Sequence, residues 1–315
     1  MKIVVLDGYT LNPGDLSWAP LSKFGELKIY DRTSEADVAE RCREADIAIT
    51  NKVPLSKATL QQLPRLKLIS VLATGYNIID VEAATAQGIV VCNVPAYGTA
   101  SVAQHVFAML LSFTNHVSLH AQSVAAGEWV RSPDFAYTKK PLMELEGKTL
   151  GIVCFGNIGQ QTARIGAAFG MQILYNSRTK KDTTLGTFTD LNTLFAQSDV
   201  VSLHCPLTPE NKGFVNSGLL QRMKPTAFLI NTARGQLIEE TDLADALNKG
   251  TIAGAALDVL SAEPPPANNP LLHARNCIIT PHIAWISFEA RQRMLAVTEQ
   301  NIASFLNGSA INVVH

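Results

Sequence analysis

The sequence predicts an α/β protein made of two successive, doubly wound parallel-sheet domains. Three observations carry the prediction. From Met1 to about residue 93, short apolar runs alternate with helical patterns. A second alternating series begins at Thr149. Alternation of this kind suits parallel strands joined by crossover helices. The length of 315 residues and the 47% hydrophobic content allow two domains of ordinary size, each with a substantial core.

In the first series, strands are expected at 3–6, 27–30, 47–50, 68–72 and 89–93, with helices at 34–44 and 80–86. Gly88 supplies a helix stop ahead of the last strand. One long helix is expected over 99–126. Near its start, Ser101-Val102-Ala103-Gln104 fits a capping box, with Ser101 capping and Gln104 reaching back. The run from Val106 to Leu111 is apolar around much of the helix, so burial on more than one side is expected, against another domain or a partner subunit. A homodimer is the expected assembly. Residues 131–142, with Pro133 and Pro141, read as an irregular arm. The second series places strands at 149–155, 172–175, 200–204, 227–231, 252–258 and 277–280, and helices at 159–169, 191–197 and 241–248. The proline-rich stretch 263–269 must be loop, and a charged last helix is expected over 287–306.

The formal net charge is −1, which offers no overall attraction for nucleic acid. The first residues, Lys2-Ile3-Val4-Val5-Leu6-Asp7, lack the long apolar region of a signal peptide. The apolar block 106–111 falls far short of a membrane span. A cytoplasmic protein with neither membrane nor nucleic-acid partners is expected. Cys42, Cys92, Cys154, Cys205 and Cys277 are scattered and form no Cys-x-x-Cys pair, which reads as reduced, buried thiols. His116 and His120 lie four apart without a third ligand in view, so no metal site is expected.

Chemistry concentrates in four segments. Arg234 lies in Ile230-Asn231-Thr232-Ala233-Arg234-Gly235, directly after an apolar strand run. Ligands bind at the carboxyl ends of such strands. A guanidinium there can hold a carboxylate through two parallel hydrogen bonds and polarise a neighbouring carbonyl. His282 lies in Thr280-Pro281-His282-Ile283-Ala284-Trp285, and an imidazole can hand a proton to a developing alkoxide near neutral pH. Glu263, in Ser261-Ala262-Glu263-Pro264, offers the carboxylate that orients such an imidazole. Upstream, Cys154-Phe155-Gly156-Asn157-Ile158-Gly159 sits between a strand and a helix, as a dinucleotide turn does. Gly156 would admit the phosphates close to the backbone and Gly159 would let helix pack on strand, while Cys154 stands where the first glycine of G-x-G-x-x-G is usual.

Together these segments resemble the D-2-hydroxyacid dehydrogenase family, closest to its glycerate dehydrogenase and hydroxypyruvate or glyoxylate reductase branch, over nearly the whole chain. The resemblance implies two Rossmann-like domains with the active site in the cleft between them. Residues 1–98 with 286–315 would bind substrate, and residues 99–285 would bind NAD(P). It implies Arg234 as carboxylate clamp, His282 as proton donor to the substrate oxygen and Glu263 as its partner. Glu263 also argues against the related formate dehydrogenases, which lack that pair. The cofactor set it implies comprises Gly156, Asn157, Ile158 and Gly159; Asn176, Ser177, Arg178 and Thr179 at the ribose; Cys205, Pro206 and Asn211 on the adenine side; and Thr232, Ala233, Arg234, Asp258, Thr99 and Val102 near the nicotinamide. Asn176 ends the second strand of this series where an acid would select NAD, and Arg178, Lys180 and Lys181 follow it, so NADP is favoured over NAD. The substrate loop would be Ala73-Thr74-Gly75-Tyr76-Asn77, with Thr74, Gly75 and Tyr76 as contacts, Lys52 beside it and Trp285 walling the pocket. Ile78 departs from the family, where many members have Asn. The expected reaction transfers a hydride between NAD(P)H and hydroxypyruvate or glyoxylate, giving D-glycerate or glycolate. The rivals are a lactate-type or bulkier 2-hydroxyacid dehydrogenase and, from another class, a nucleotide-sensing transcriptional corepressor on the same scaffold.

Overall fold

The computed structural model describes residues 1–314. The chain divides into two compact units, Met1–Gly98 joined by the chain from Ile286 onward, and Thr99–Trp285. Both are α/β with wholly parallel sheets. The first unit holds five strands, β1 (Lys2–Val5), β2 (Glu26–Ile29), β3 (Ile47–Thr50), β4 (Leu68–Val71) and β5 (Val90–Cys92), ordered β2-β1-β3-β4-β5. β3 and β4 are buried at every residue, as strands covered on both faces by crossover helices must be. The last helix, Phe288–Leu306, belongs to this unit and starts at the Ser287 cap, whose hydroxyl accepts from Ala290 N. Arg291, only 6% exposed, fastens it by a bidentate pair to Asp15, both contacts at 2.6 Å, and by a further bond to the Leu11 carbonyl.

The second unit holds seven strands: β6 (Thr149–Val153), β7 (Gln172–Asn176), β8 (Thr187–Phe188), β9 (Val200–Leu203), β10 (Phe228–Asn231), β11 (Gly254–Leu257) and β12 (Cys277–Ile279). Their order is β12-β11-β10-β9-β6-β7-β8. Val106, Phe107, Met109 and Leu110 pack into a core with Leu150, Ile152, Phe155, Ala163 and Tyr175. That packing accounts for the apolar girth of the Val106–Leu111 run.

The structure corrects the long helix. Residues 99–126 form two helices, Thr99–Thr114 and Val117–Ala125, separated by His116 in the left-handed region at φ +48. The break has a tertiary cause: Met143 N, just past the arm, donates to the Thr114 carbonyl at 3.0 Å, which ends the first helix there. Ser101 is not the cap either. It lies inside the helix, and its hydroxyl donates to the Ala284 carbonyl at 2.7 Å. β8, an edge strand of two residues, is an element beyond those the sequence predicts. Among the described residues, no helix is long and apolar enough to cross a membrane.

Candidate active site

The dinucleotide turn lies where the order of the larger sheet reverses. After β6 the chain goes to β7 on one side, and β9 pairs with β6 on the other. Ligand crevices form outside the carboxyl ends of strands at such a switch point. The turn runs through Cys154 at φ +71 into the helix Asn157–Ala168, with Gly156 at its N-cap. Glycine enters the left-handed region freely and an L side chain does not, so Cys154 carries strain at the position where the fingerprint has glycine. Nothing lies within 4 Å of a Cβ built on Gly156. Its open backbone precedes first-turn amides, at Asn157, Ile158 and Gly159, that have no intrahelical partners. That combination suits a phosphate. A Cβ on Gly159 would meet the Cys154 carbonyl oxygen at 2.5 Å and Ile152 Cγ2 at 3.0 Å, so only glycine lets this helix approach its strand.

β7 ends at Asn176, whose Nδ2 donates to the Thr189 carbonyl at 2.8 Å and whose own carbonyl accepts from Cys154 N at 2.9 Å. Ser177 Oγ donates to the Thr179 carbonyl. Arg178, Thr179, Lys180 and Lys181 are exposed, with no carboxylate among residues 176–181. Past β9, Cys205 is buried beside Pro206. Asn211 commits both polar groups to its own loop, accepting from Thr208 N and donating to the Pro206 carbonyl, each at 2.8 Å. Thr99 and Val102 lie at the start of their helix, and Val102 is buried. Thr232, just past β10, has a buried hydroxyl with no partner. An orphaned hydroxyl and an open glycine on the same strand-end edge fit a dinucleotide.

β10, β11 and β12 are neighbours in the sheet, and Arg234, Glu263 and His282 follow their carboxyl ends in turn. Fully buried Asn231 shapes the first loop: its Oδ1 accepts from Ala233 N at 3.0 Å and its Nδ2 donates to the Arg234 carbonyl at 2.8 Å. Arg234 Nη1 donates to the Ala233 carbonyl at 2.7 Å. A Cβ on Gly235 would fall 1.9 Å from the Leu260 carbonyl carbon, so glycine is what lets the arginine loop touch the glutamate loop. Glu240 secures that second loop by accepting from Ser261 N at 2.7 Å and Asn269 Nδ2 at 2.8 Å.

His282 Nδ1 lies 2.6 Å from Glu263 Oε2, while Glu263 Oε1 accepts from Leu260 N at 3.1 Å. With Nδ1 donating to the carboxylate, Nε2 is the ring nitrogen that can exchange a proton with a ligand. His282 sits at φ +56. Its amide donates to the Asp258 and Thr280 carbonyls at 2.8 and 3.0 Å. The Asp258 side chain, 1% exposed, accepts from Thr280 Oγ1 at 2.5 Å, Ile283 N at 2.9 Å and Ala284 N at 2.8 Å. His105 Nε2 approaches Thr280 Oγ1 at 3.1 Å. Asp258 is therefore the brace of the histidine turn. The sequence suggested only its place near the nicotinamide, because the bonds it accepts come from residues 22 to 26 positions later. Thr280, His105 and Glu240 carry no signal in the sequence, because their partners lie 21 or more positions away; Asn231, whose partners are two and three residues on, acts only within its own loop.

In the first unit, Thr74 Oγ1 donates to the Val94 carbonyl at 3.0 Å, and its own carbonyl accepts from Asn93 Nδ2 at 2.7 Å. Those bonds hold the loop that carries Gly75 and Tyr76. Ile78 is absorbed by packing against the core, and its carbonyl accepts from Leu55 N. Asn51 N and Lys52 N donate to the two oxygens of Asp7 at 2.8 and 2.7 Å. Burial raises the Asp7 carboxyl above its ordinary range, against the lowering effect of those amides. Asp7 was visible in the sequence only as an acid at a strand end. Trp285 is half-buried where the second unit ends.

A family model described as D-isomer specific 2-hydroxyacid dehydrogenase, NAD binding domain, matches residues 107–284. A hydroxypyruvate reductase of Blautia hydrogenotrophica is 47% identical, with all of both chains covered. A glycerate dehydrogenase of Methylorubrum extorquens is 40% identical over 99% of this chain and 98% of its own. Among solved structures, an NADPH-dependent glyoxylate/hydroxypyruvate reductase of Sinorhizobium meliloti, in complex with citrate, superposes with a TM-score of 0.85 at 30% identity, covering 99% of this chain and 97% of its own.

Proposed function

This chain belongs to the D-isomer-specific 2-hydroxyacid dehydrogenase family and is an NAD(P)-dependent oxidoreductase, and on that premise we propose that it reduces hydroxypyruvate or glyoxylate to D-glycerate or glycolate. The observation that carries the chemistry is the 2.6 Å contact between His282 and Glu263 on the strand edge that also bears Arg234. Arg234 clamps the substrate carboxylate with its planar fork and polarises the adjacent carbonyl. His282 Nε2 delivers the proton to the carbonyl oxygen, and Glu263 holds the ring in the tautomer that makes this possible. When bound, the reduced dinucleotide supplies the hydride. Gly156 to Gly159 would hold its pyrophosphate, Asn176 to Thr179 its ribose, Cys205, Pro206 and Asn211 its adenine side, and Thr99, Val102, Thr232, Ala233 and Asp258 the nicotinamide end. The Thr99–Trp285 unit is accordingly the nucleotide-binding domain. The other unit is the substrate-binding domain, with Thr74, Gly75, Tyr76 and Lys52 as contacts. Trp285 would wall the substrate pocket.

Preference for NADP over NAD is supported by the absence of an acid at Asn176 and by the exposed cations at Arg178, Lys180 and Lys181. A cytoplasmic homodimer completes the reading. Its support is the apolar surface beside the helix pair, where Val130 and Phe135 are 91% and 92% exposed and Trp129 51%. Patches of this kind mark subunit contacts. The deciding experiment is initial-rate assay of a panel of 2-oxo acids with NADPH and NADH. Hydroxypyruvate and glyoxylate should give the highest kcat/KM. A clear preference for pyruvate or a branched 2-oxo acid would move the chain to a lactate-type or bulkier-substrate activity. No turnover with any acid, alongside tight dinucleotide binding, would favour a nucleotide sensor.

A further inference from the structure

We propose that Cys154 and Cys205 form a dithiol oxidation site built into the dinucleotide turn, at which peroxide closes a disulfide that weakens NAD(P)H binding. The proposal rests on placing the dinucleotide phosphates at residues 154–159.

The two thiols come together at the switch point of the sheet. Cys154 is the first residue past β6, and Cys205 follows β9 by one more position. β6 and β9 pair in parallel with Val153 opposite Leu203, so Cys205 is the diagonal neighbour of Cys154 on the adjacent strand. Neighbouring strands lie about 4.7–4.9 Å apart. Disulfides span Cα separations of about 4.4–6.8 Å. Cys205 Sγ lies 3.7 Å from the Val153 carbonyl oxygen, and its thiol is within interaction reach of the Cys154 sulfur. Cys154 is partly buried while Cys205 is buried, an arrangement of attacking and resolving thiol. The interaction with Cys205, aided by the positive charge of Arg178, lowers the Cys154 thiol below its ordinary range against the effect of burial. Cys205 is raised, first by its contact with Cys154 and then by burial. Elsewhere, burial pushes Cys42, Cys92 and Cys277 up to about 12, 11 and 12. Those three are poor nucleophiles by the same physics.

The oxidation balances with peroxide as the only co-reactant. The Cys154 thiolate attacks one peroxide oxygen, an S–O bond forms, the O–O bond breaks, and the displaced hydroxide takes a proton to leave as water. The Cys205 sulfur then attacks the sulfenic sulfur. An S–S bond forms, the S–O bond breaks, and a second water leaves with the Cys205 proton. Two thiols lose two electrons and one peroxide gains them.

The mechanical link to the cofactor runs through the Cys154 peptide. Its carbonyl sits against Gly159, where even one added carbon would fall 2.5 Å away, and its amide donates to the Asn176 carbonyl at 2.9 Å. A cross-link that pulls Cys154 toward β9 displaces the helix start and the end of β7 together. Binding of NAD(P)H should in turn shield Cys154.

The test uses the full-length protein, reduced and then exposed to stoichiometric hydrogen peroxide. Peptide mapping should find Cys154 joined to Cys205. Fluorescence titration with NADPH and NADH should show Kd raised at least about tenfold, restored by dithiothreitol. Saturating NADPH should slow the cross-link. Cys154→Gly, which relieves the left-handed backbone and so should fold, should lose any response of its own Kd to peroxide. Cys205→Ser should stop at a sulfenic acid that dimedone traps. Absence of the cross-link in the unsubstituted protein, or a cross-link that leaves Kd unchanged, overturns the proposal. Gly156→Val tests the underlying placement independently, because its side chain points into open space and blocks only a dinucleotide. If Gly156→Val forms the cross-link yet binds NADPH like the parent, the placement itself is wrong and the coupling fails with it.

Discussion

Asp258→Asn should cost both stability and turnover, and the two losses should share one origin. The aspartate gives one oxygen to Ile283 N and Thr280 Oγ1 and the other to Ala284 N, at 2.5 to 2.9 Å and almost without exposure to water. Asparagine retains one acceptor oxygen and places an NH2 against the remaining donor. One buried amide N–H is left facing another donor, which costs about 1–3 kcal/mol, and the surviving bonds lose their charge assistance. A total of roughly 3 kcal/mol would lower Tm by roughly 6–12 °C for a unit of this size. The turn it holds carries His282 at φ +56, a backbone state that relaxes once its surroundings stop enforcing it. Turnover should therefore fall mainly in kcat, and the Glu263–His282 pair should lose its alignment. The assay is a double-mutant cycle in kcat/KM with His282→Ala, together with thermal unfolding of each variant. If Asp258 acts through the histidine, its substitution adds little once His282 is gone. An unchanged Tm, or full additivity with His282→Ala, would refute the brace. A loss confined to KM for the dinucleotide would mean that Asp258 is a nicotinamide contact first.

His282→Ala should reduce kcat by about 10²- to 10⁴-fold, the usual worth of a general acid, and steady-state rates with unchanged far-UV circular dichroism check it. Arg234→Lys keeps the charge but loses the fork that grips a carboxylate, so KM for the 2-oxo acid should rise more than kcat falls; near-normal KM would count against the clamp. Asn176→Asp should move the ratio of kcat/KM for NADPH to that for NADH toward NADH, because a carboxylate repels the 2′-phosphate, and a parent enzyme strongly selective for NADH would contradict the premise. Burial lowers His204 to about 4, beside Ser202 Oγ at 3.0 Å. Since the unfolded chain protonates this group at an ordinary histidine pKa near 6.5 and the folded chain does not, stability should decline as pH falls from about 6.5 toward 4. His204→Gln should flatten that limb in Tm measured against pH, and parallel profiles for both proteins would sink the assignment.

The parts legible in the sequence are those written by neighbouring residues. Apolar runs of four or five placed the long strands, and the Gly156–Gly159 spacing placed the helix after β6, because period and turn chemistry act within a few positions. The helix break at His116 was invisible because its cause, Met143 N on the Thr114 carbonyl, comes from the far side of the arm. The bonds Asp258 accepts come from residues 22 to 26 positions later, and the His105–Thr280 contact spans 175. No periodicity encodes such bonds. Two backbone states likewise leave no mark in composition. Cys154 and His282 both occupy the left-handed region without being glycine, one at the dinucleotide turn and one at the proton-transfer turn. Glycine would be easier at either place, but it carries no thiol and no imidazole. Each is held there by bonds to neighbouring strands: Cys154 N to the end of β7, and His282 N to the carbonyl of Asp258 just past β11. The sheet's regular edge thus supplies the restraint that keeps these reactive side chains on strained backbone, which is why rigid strands and irregular turns alternate where the chemistry is concentrated.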